Sequence, residues 1–342
     1  MTQIILPAAA DFHVHLRQEA MMQTVVPLIR QGGVNTVYVM PNLNPAITTV
    51  DAALQYKAQL LQIEPNVTYL MTLYLSESLS IEEIRKAKEN GIVGIKSYPR
   101  GVTTNSEFGV SSYEQYYPIL AEMERHNLIL NLHGELAQSS STTIFNAEES
   151  FLPILHDLHF RFPGLGIVFE HCSTKAAVEA ILKCGERVVG TITPHHLYLT
   201  LDDWIEDPHS YCKPVAKLSR DRESLISIAT SGNKKFFLGS DSAPHYKGFK
   251  DVKNGGMVAA GVFTQPLVLT YLAEIFEREG KLDMLEGFIS TFGRDFYGLP
   301  STQEKIILTR EEGVIPDSYG EGECEVVPFR SGKKIHWKVT WM

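Results

Sequence analysis

The chain has 342 residues, 44% of them apolar, and a formal net charge of −9. The apolar content excludes a disordered chain, and the negative charge argues against nucleic acid and anionic membranes as main partners. The four cysteines form no Cys-x-x-Cys pair, no signal peptide is visible, and no apolar run approaches the ~18 residues of a membrane span. We therefore expect a globular, cytoplasmic protein in a reducing compartment.

Short apolar runs rich in β-branched residues alternate with segments of helical period. The predicted strands are 8–15, 36–40, 67–74, 93–97, 128–133, 166–171, 188–193 and 235–241. The predicted helices between them are 22–31, 50–63, 81–89, 113–125 and 175–184. Apolar strands that alternate with helices indicate a parallel sheet buried on both faces, and eight such units favour a (β/α)8 barrel, the TIM barrel of the α/β class.

The pattern changes after the eighth strand. Segments 257–279 and 282–292 predict further helices, and beyond Pro300 the sequence predicts short strands at 306–308, 324–327 and 334–339. We therefore divide the chain into a barrel over 1–300 and a C-terminal extension over 301–342 that packs on it. A loop after the eighth strand is interpreted as a solvated charge run because it carries Lys247, Lys250 and Lys253.

Ionisable side chains recur where the predicted strands end, which is where barrel enzymes carry their chemistry. They are His13, His15, Lys96, His133, His171, His195 and Asp241. If the first strand continues through Arg17, the side chains of His13, His15 and Arg17 point to one face. Two imidazoles at that spacing can bind one metal ion, and a guanidinium beside them can hold a carboxylate. Four imidazoles and one carboxylate suit two divalent ions such as zinc.

Lys96 does not fit this ligand set as an ammonium, because a cation repels metal ions. If CO2 adds to its neutral amine, the resulting carbamate is an anion with two oxygens that could bridge two ions. A salt-bridged lysine of the barrel is the alternative interpretation. His195 and His196 receive no ligand role, and we expect them to support the structure.

Ten motifs together resemble those of the dihydroorotases of the amidohydrolase superfamily, in the compact form that works as a separate enzyme. They are residues 11–17 (DFHVHLR), 40–42 (MPN), 96–99 (KSYP), 103–106 (TTNS), 133–135 (HGE), 170–171 (EH), 193–197 (TPHHL), 212–214 (CKP), 239–245 (GSDSAPH) and 296–300 (FYGLP). The first motif contains a His-x-His shared by the superfamily, whereas GSDSAPH and TTNS are more specific. The resemblance implies reversible closure of N-carbamoyl-L-aspartate to L-dihydroorotate with loss of water, a step of pyrimidine biosynthesis.

The same resemblance implies two zinc ions per subunit, bridged by a hydroxide. One ion would be held by His13, His15, Asp241 and the N6-carboxylated Lys96. The other would be held by His133, His171 and the shared Lys96 carbamate. Asp241 would act as the general base and then as the general acid.

Substrate contacts are also implied by the resemblance. Arg17, Asn42 and His245 would bind the α-carboxylate, and the segments around Ala216 and Ala260 would offer main-chain contacts to the ring. Thr103 and Thr104, on a polar loop over 100–112, would close over the ligand as a lid.

Two alternatives remain open at this point. A hydantoinase or allantoinase would use the same barrel and metals without needing to bind a carboxylate, so Arg17, Asn42 and His245 favour the first hypothesis. A non-enzymatic scaffold member is disfavoured because such members usually lose ligands, and all six ligand positions are present here. The expected partner is a small-molecule substrate, not nucleic acid or a membrane, and a homodimer is compatible with the sequence.

Overall fold

Eight parallel strands form a nearly closed barrel in this computed structural model, which describes residues 2–251 and 256–342. The barrel strands follow one another in sequence order: β2 (Ala9–Val14), β3 (Val34–Val39), β4 (Thr68–Tyr74), β5 (Gly94–Ser97), β6 (Ile129–Leu132), β7 (Ile167–Phe169), β8 (Val188–Ile192) and β9 (Phe236–Leu238). The predicted α/β barrel and all eight predicted strands are confirmed. Each strand is completely buried except at Thr68, as expected when a sheet is covered on both faces.

Twelve α-helices, with several short 3-10 turns and one π-helical turn, accompany the strands in the described residues. They are α1 (Glu19–Val25), α2 (Leu28–Gln31), α3 (Val50–Ile63), α4 (Ile81–Glu89), α5 (Tyr117–Arg125), α6 (Ala147–Arg161), α7 (Lys175–Lys183), α8 (Leu201–Glu206), α9 (Ser219–Ala229), α10 (Lys247–Lys250), α11 (Val268–Arg278) and α12 (Phe292–Tyr297). None of the described helices is long and apolar enough to cross a membrane.

The helices α3 and α4 have the predicted bounds because their ends carry local signals. Thr49 caps α3 by accepting from the Ala52 amide, and Ser80 caps α4 by accepting from the Glu83 amide. At the other end of α4, Gly91 has a φ of 72°, which glycine adopts without steric cost.

Several helix predictions are wrong in part. In the predicted helix 282–292, a 3-10 turn (Leu282–Met284) and a π-helical turn (Gly287–Thr291) come first, and α12 begins only at Phe292. The predicted helix 22–31 is divided, because Pro27 follows α1 and α2 begins at Leu28. In the predicted helix 257–279, the described residues before Gln265 are not helical and α11 begins only at Val268. Gly261 lies in that stretch with a φ of 156°, outside the helical region.

The C-terminal residues form a second sheet together with the N-terminus of the chain. The strands β1 (Gln3–Pro7), β10 (Lys305–Val314) and β11 (Lys334–Trp341) pair antiparallel in the order β1-β10-β11. The second strand predicted after the barrel, at 324–327, is reduced to a single bridge between Tyr319 and Val326. The sheet packs on α11 through Trp337, which is fully buried and donates from Nε1 to Glu277 at 3.0 Å.

We expect Trp337→Ala to lower the free energy of unfolding by about 3–5 kcal/mol, the usual cost of removing a buried aromatic side chain. Urea denaturation followed by circular dichroism measures this change. Met342→Ala is the matched control, because Met342 is 75% exposed at the end of the same segment. Equal stability of both variants would show that the second sheet does not stabilise the barrel.

Candidate metal centre

The first and last barrel strands bring two imidazoles and one carboxylate together. His13 Nε2 lies 3.2 Å and His15 Nε2 lies 3.0 Å from the same carboxylate oxygen, Oδ1 of Asp241. Their donor atoms all lie within 4.8 Å of one another, close enough for one ion to bind all three. The structure thus brings together the three side chains predicted to bind the first ion, although His15 and Asp241 are 226 positions apart in the chain.

His133 and His171 lie next to this group of three side chains, at the ends of β6 and β7. Their ring centroids are 4.6 Å apart, and the rings of His13 and His171 are 5.2 Å apart. All three rings are buried. The four predicted imidazole ligands therefore form one continuous group.

Two buried glutamates fix the orientation of these rings, and neither was assigned a role from the sequence. Glu170 Oε2 accepts from His13 Nδ1 at 2.9 Å and from the Thr191 hydroxyl at 2.7 Å. Glu135 Oε2 pairs with His133 Nε2 at 2.7 Å. Such carboxylates select the tautomer and leave the other ring nitrogen free for a metal ion. Both glutamates stand within the motifs 133–135 and 170–171, one or two residues from a histidine, which is the signal that could have identified them.

Lys96 lies on β5 near the Asp241 carboxylate and is 0% exposed. Its Nζ has no hydrogen-bond partner among the described residues, and burial lowers the pKa of this amine to about 8. A buried ammonium without a partner is costly, so the neutral amine is favoured here more than at the surface. The salt-bridged lysine considered as an alternative is therefore not what the structure contains.

Burial controls the protonation of the imidazoles. It lowers the pKa of His15 to about 4 and holds the pKa of His133 and His171 below the ordinary value. Burial also opposes charge on His13, but Glu170 and Asp241 together raise its pKa. The neutral rings of His15, His133 and His171 offer lone pairs to a cation. The Asp241 carboxyl supplies negative charge, because the neighbouring His13 and His15 hold its pKa well below the usual range despite burial.

Arg17 reaches the pocket by a route that the sequence did not predict. The strand β2 ends at Val14, and Arg17 has a φ of 58°, so the residue is not part of an extended strand. Its Nε donates to the Pro244 carbonyl at 2.9 Å. Burial lowers the pKa of Arg17 to about 10, so the guanidinium still carries its charge at neutral pH.

His245 lies beside Arg17, with its Nε2 3.2 Å from the guanidinium and 3.0 Å from the Ala260 carbonyl oxygen. Burial, followed by the charges of Arg17 and Lys250, lowers the pKa of His245 to about 2. The ring is therefore neutral, and Arg17 is the cation of the pair.

The loop predicted to act as a lid lines the pocket and is hydrogen-bonded to other residues of its wall. Thr103 and Thr104 line the pocket, and the Asn42 side chain donates to the Thr104 carbonyl at 3.0 Å. From the other side, Lys213 Nζ donates to the Val102 carbonyl at 2.6 Å. Asn42 thus holds the loop that carries the two threonines.

The two predicted main-chain segments differ in position. Ala260 lines the pocket, whereas Ala216 does not, because its carbonyl accepts from Trp204 Nε1 at 2.9 Å and its side chain packs against Leu199 and Cys212. The segment before Ala216 reaches the pocket instead through Lys213. That residue belongs to the motif 212–214, which was recognised without a role.

His195 and His196 are buried near this site. His196 bonds through both ring nitrogens, to the Thr193 hydroxyl at 2.8 Å and the Pro214 carbonyl at 3.0 Å, as a structural histidine would. The two ring nitrogens of His195 have no partner among the described residues. Both rings stay neutral because burial lowers the pKa of each.

The interpretation of the lysine loop as a solvated charge run is wrong for Lys250, which is 3% exposed, and Lys253 lies outside the described residues. Lys247 is exposed and pairs with Glu325 at 3.2 Å. Sequence periodicity could not distinguish these lysines, because α10 has only four residues.

Comparisons with known proteins find relatives in sequence and in fold. The model of the amidohydrolase family matches residues 4–299. A probable dihydroorotase of Schizosaccharomyces pombe is 53% identical over 338 residues, which cover 98% of each chain. A crystal structure of dihydroorotase in complex with 5-fluoroorotic acid from Saccharomyces cerevisiae is 42% identical, with a TM-score of 0.96 over 100% of this chain and 99% of its own. An L-hydantoinase from Arthrobacter aurescens has a TM-score of 0.83 over 99% of this chain and 84% of its own, and its 18% identity establishes a shared fold only.

We expect Glu170→Gln to weaken metal binding by roughly 10–100-fold, because the carboxylate that orients His13 is lost while its shape is kept. Metal content after dialysis against graded chelator concentrations measures this change. Glu89→Gln, at the exposed end of α4, is the control. Retention of metal equal to that of the control would show that Glu170 does not support the centre.

Proposed function

The chain belongs to the amidohydrolase family and within it to the dihydroorotases, and from this membership we propose that it interconverts N-carbamoyl-L-aspartate and L-dihydroorotate with zinc bound at the centre described above. The observation that carries the proposal is the convergence of His13, His15 and Asp241 beside the buried Lys96 amine, which has no hydrogen-bond partner in residues 2–251 and 256–342. The protein is an enzyme, a cyclic amide hydrolase, and the zinc requirement and the residue roles below are our inference. We also propose a cytosolic location, since all four cysteines are free thiols.

The residues present fit a binuclear centre. His13, His15 and Asp241 would hold one zinc ion, and His133 and His171 the other. A carbamate on Lys96 would bridge them, which requires a neutral amine, and burial favours that form. When bound, two such ions activate water and polarise the amide carbonyl.

Asp241 is the proposed proton carrier. Its carboxyl is deprotonated at neutral pH and lies in the pocket with the metal ligands. In ring opening it takes a proton from the attacking water and delivers it to the amide nitrogen as the ring C–N bond breaks. In ring closure the same carboxyl takes the proton from the attacking nitrogen and returns it to the departing water.

Arg17 is the proposed anchor for the substrate α-carboxylate. It is the cation of the pocket wall next to His245, and its charge survives burial. Neutral His245 and the Asn42 amide contribute polar groups beside it, and Thr103 and Thr104 cover the ligand. The S. cerevisiae relative was crystallised with 5-fluoroorotic acid, an acidic ligand, which supports a carboxylate-binding pocket. A hydantoinase activity is the second candidate. The presence of Arg17 in the pocket argues against it, because hydantoin has no carboxylate to bind.

We expect the zinc-loaded enzyme to hydrolyse L-dihydroorotate and not hydantoin, and Asp241→Asn to lower kcat on the order of 10²–10⁴-fold without unfolding the barrel. Loss of dihydroorotate absorbance in the ultraviolet measures turnover, and circular dichroism tests the fold. Asp283→Asn, at an exposed position, is the matched control. Turnover of hydantoin alone would refute the substrate, and full activity of Asp241→Asn would refute the proton carrier.

The Lys96 carbamate has its own test. Mass spectrometry under non-acidic conditions should find the intact chain heavier by one CO2, and acid should remove this mass. Lys96→Arg should lack the adduct and bind less zinc, whereas Lys88→Arg, at an exposed position, should match the wild type. An unmodified wild-type chain that binds two zinc ions would contradict the bridge.

A further inference from the structure

Lys250 is a buried cation behind the wall of the pocket. Its Nζ donates to three main-chain carbonyls, those of Tyr211 at 3.0 Å, Ala259 at 2.9 Å and Gly261 at 2.8 Å. An ammonium has three N–H donors, so these carbonyls use all of them. In the described part of the chain no carboxylate forms an ion pair with Lys250, and carbonyl dipoles alone compensate its charge.

These carbonyls belong to two segments that form one side of the pocket. Ala260 and Gly261 line the pocket on the first segment, and Lys213, two residues after Tyr211, lines it on the second. The Gly261 amide also donates to the Tyr211 carbonyl at 3.0 Å. Lys250 therefore joins the two segments from behind.

The first segment touches the carboxylate-binding residues directly. The Ala260 carbonyl is bonded to His245, and His245 contacts Arg17. A Cβ on Gly261 would lie 2.4 Å from the Ala243 carbonyl oxygen and 2.9 Å from His245 Cδ2, so this segment is pressed against its neighbours. Movement of residues 259–261 would therefore displace His245 and, through it, Arg17.

We propose that Lys250 is a positioning residue for the carboxylate end of the substrate. It fixes the segment 259–261 against Tyr211 and so sets the place of His245 and Arg17. This proposal rests on the proposed function for the identity of the ligand. None of the hydrogen bonds of Lys250 involves a residue of the metal group, so its loss should impair substrate binding and spare the chemical step.

Kinetics of Lys250→Met with L-dihydroorotate test the proposal. We expect KM to rise by roughly tenfold or more while kcat changes by less than about twofold, since the removed contact serves binding alone. Zinc content should stay equal to that of the wild type. Lys247→Met, in the same helix and exposed, should leave both constants unchanged. A loss of kcat or zinc at unchanged KM, or no change at all, would overturn the proposal.

Hydrogen exchange provides a readout that does not depend on turnover. In Lys250→Met the amides of 211–213 and 259–262 should exchange faster, while those of the barrel strands should not. Unchanged exchange would overturn the proposal even if L-dihydroorotate proves not to be the substrate. If the wild type does not convert L-dihydroorotate but exchange is faster in Lys250→Met, the proposed function is refuted. The proposal that Lys250 positions the pocket wall then still stands.

If Lys250→Met does not fold, Lys250→Arg carries the test, because it keeps the charge and changes the shape of the donor. A guanidinium cannot direct its N–H groups to the three carbonyls as an ammonium does. We then expect raised KM at normal kcat and zinc content. A normal KM in Lys250→Arg would overturn the proposal.

Discussion

The closure of the barrel between β2 and β9 is the constraint on which the site depends. The Ser240 amide donates to Asp11 Oδ1 at 2.8 Å, and the Asp241 amide donates to the His13 carbonyl at 2.9 Å. The His15 amide then donates to the Ser242 carbonyl at 3.0 Å. This register leaves Asp241 beside both histidines. A shift of one residue in this register would turn these side chains to the opposite face. The pairing of the first and last strands therefore determines whether His13, His15 and Asp241 can share one metal ion.

The fold was predictable where local signals agree with the tertiary arrangement. The eight strands were found because a sheet buried on both faces needs continuous apolar runs. The bounds of α3 and α4 agree with the prediction, and Thr49, Ser80 and Gly91 are local signals at their ends. The helix prediction failed at the start of 257–279, where the spacing of the apolar residues is that of a helix face but the backbone is not helical. The conformation of the stretch before Gln265 is fixed instead by main-chain hydrogen bonds to Lys250 and Tyr211. No short-range pattern in the sequence encodes such contacts.

The site was predictable at strand ends and less so on loops. His13, His133, His171 and Asp241 could be grouped from topology alone, because the carboxyl ends of parallel strands meet at one end of a barrel. Arg17 was correctly predicted to lie in the pocket, but the predicted backbone was wrong. Its side chain reaches the pocket from a left-handed backbone conformation and not from an extended strand. Ala216 lies three positions after Lys213 on an irregular segment, and only contacts such as that between Trp204 and the Ala216 carbonyl show which of them faces the pocket.

The partners of the lysines explain why Lys96 stands apart. Lys213, Lys217 and Lys250 all donate to main-chain carbonyls near the pocket, at distances of 2.6 to 3.0 Å. The protein thus satisfies these ammonium groups with carbonyls of irregular segments, and the same hydrogen bonds fix those segments. Lys96 is on β5, whose carbonyls pair with the neighbouring strands, and it lies near the His133 and His171 imidazoles, the Glu170 and Asp241 carboxylates and the Tyr98 ring, whose centroid is 5.2 Å from its Nζ. No carbonyl among the described residues accepts from its Nζ, and for this reason we propose the carbamate at Lys96 and not at the other buried lysines.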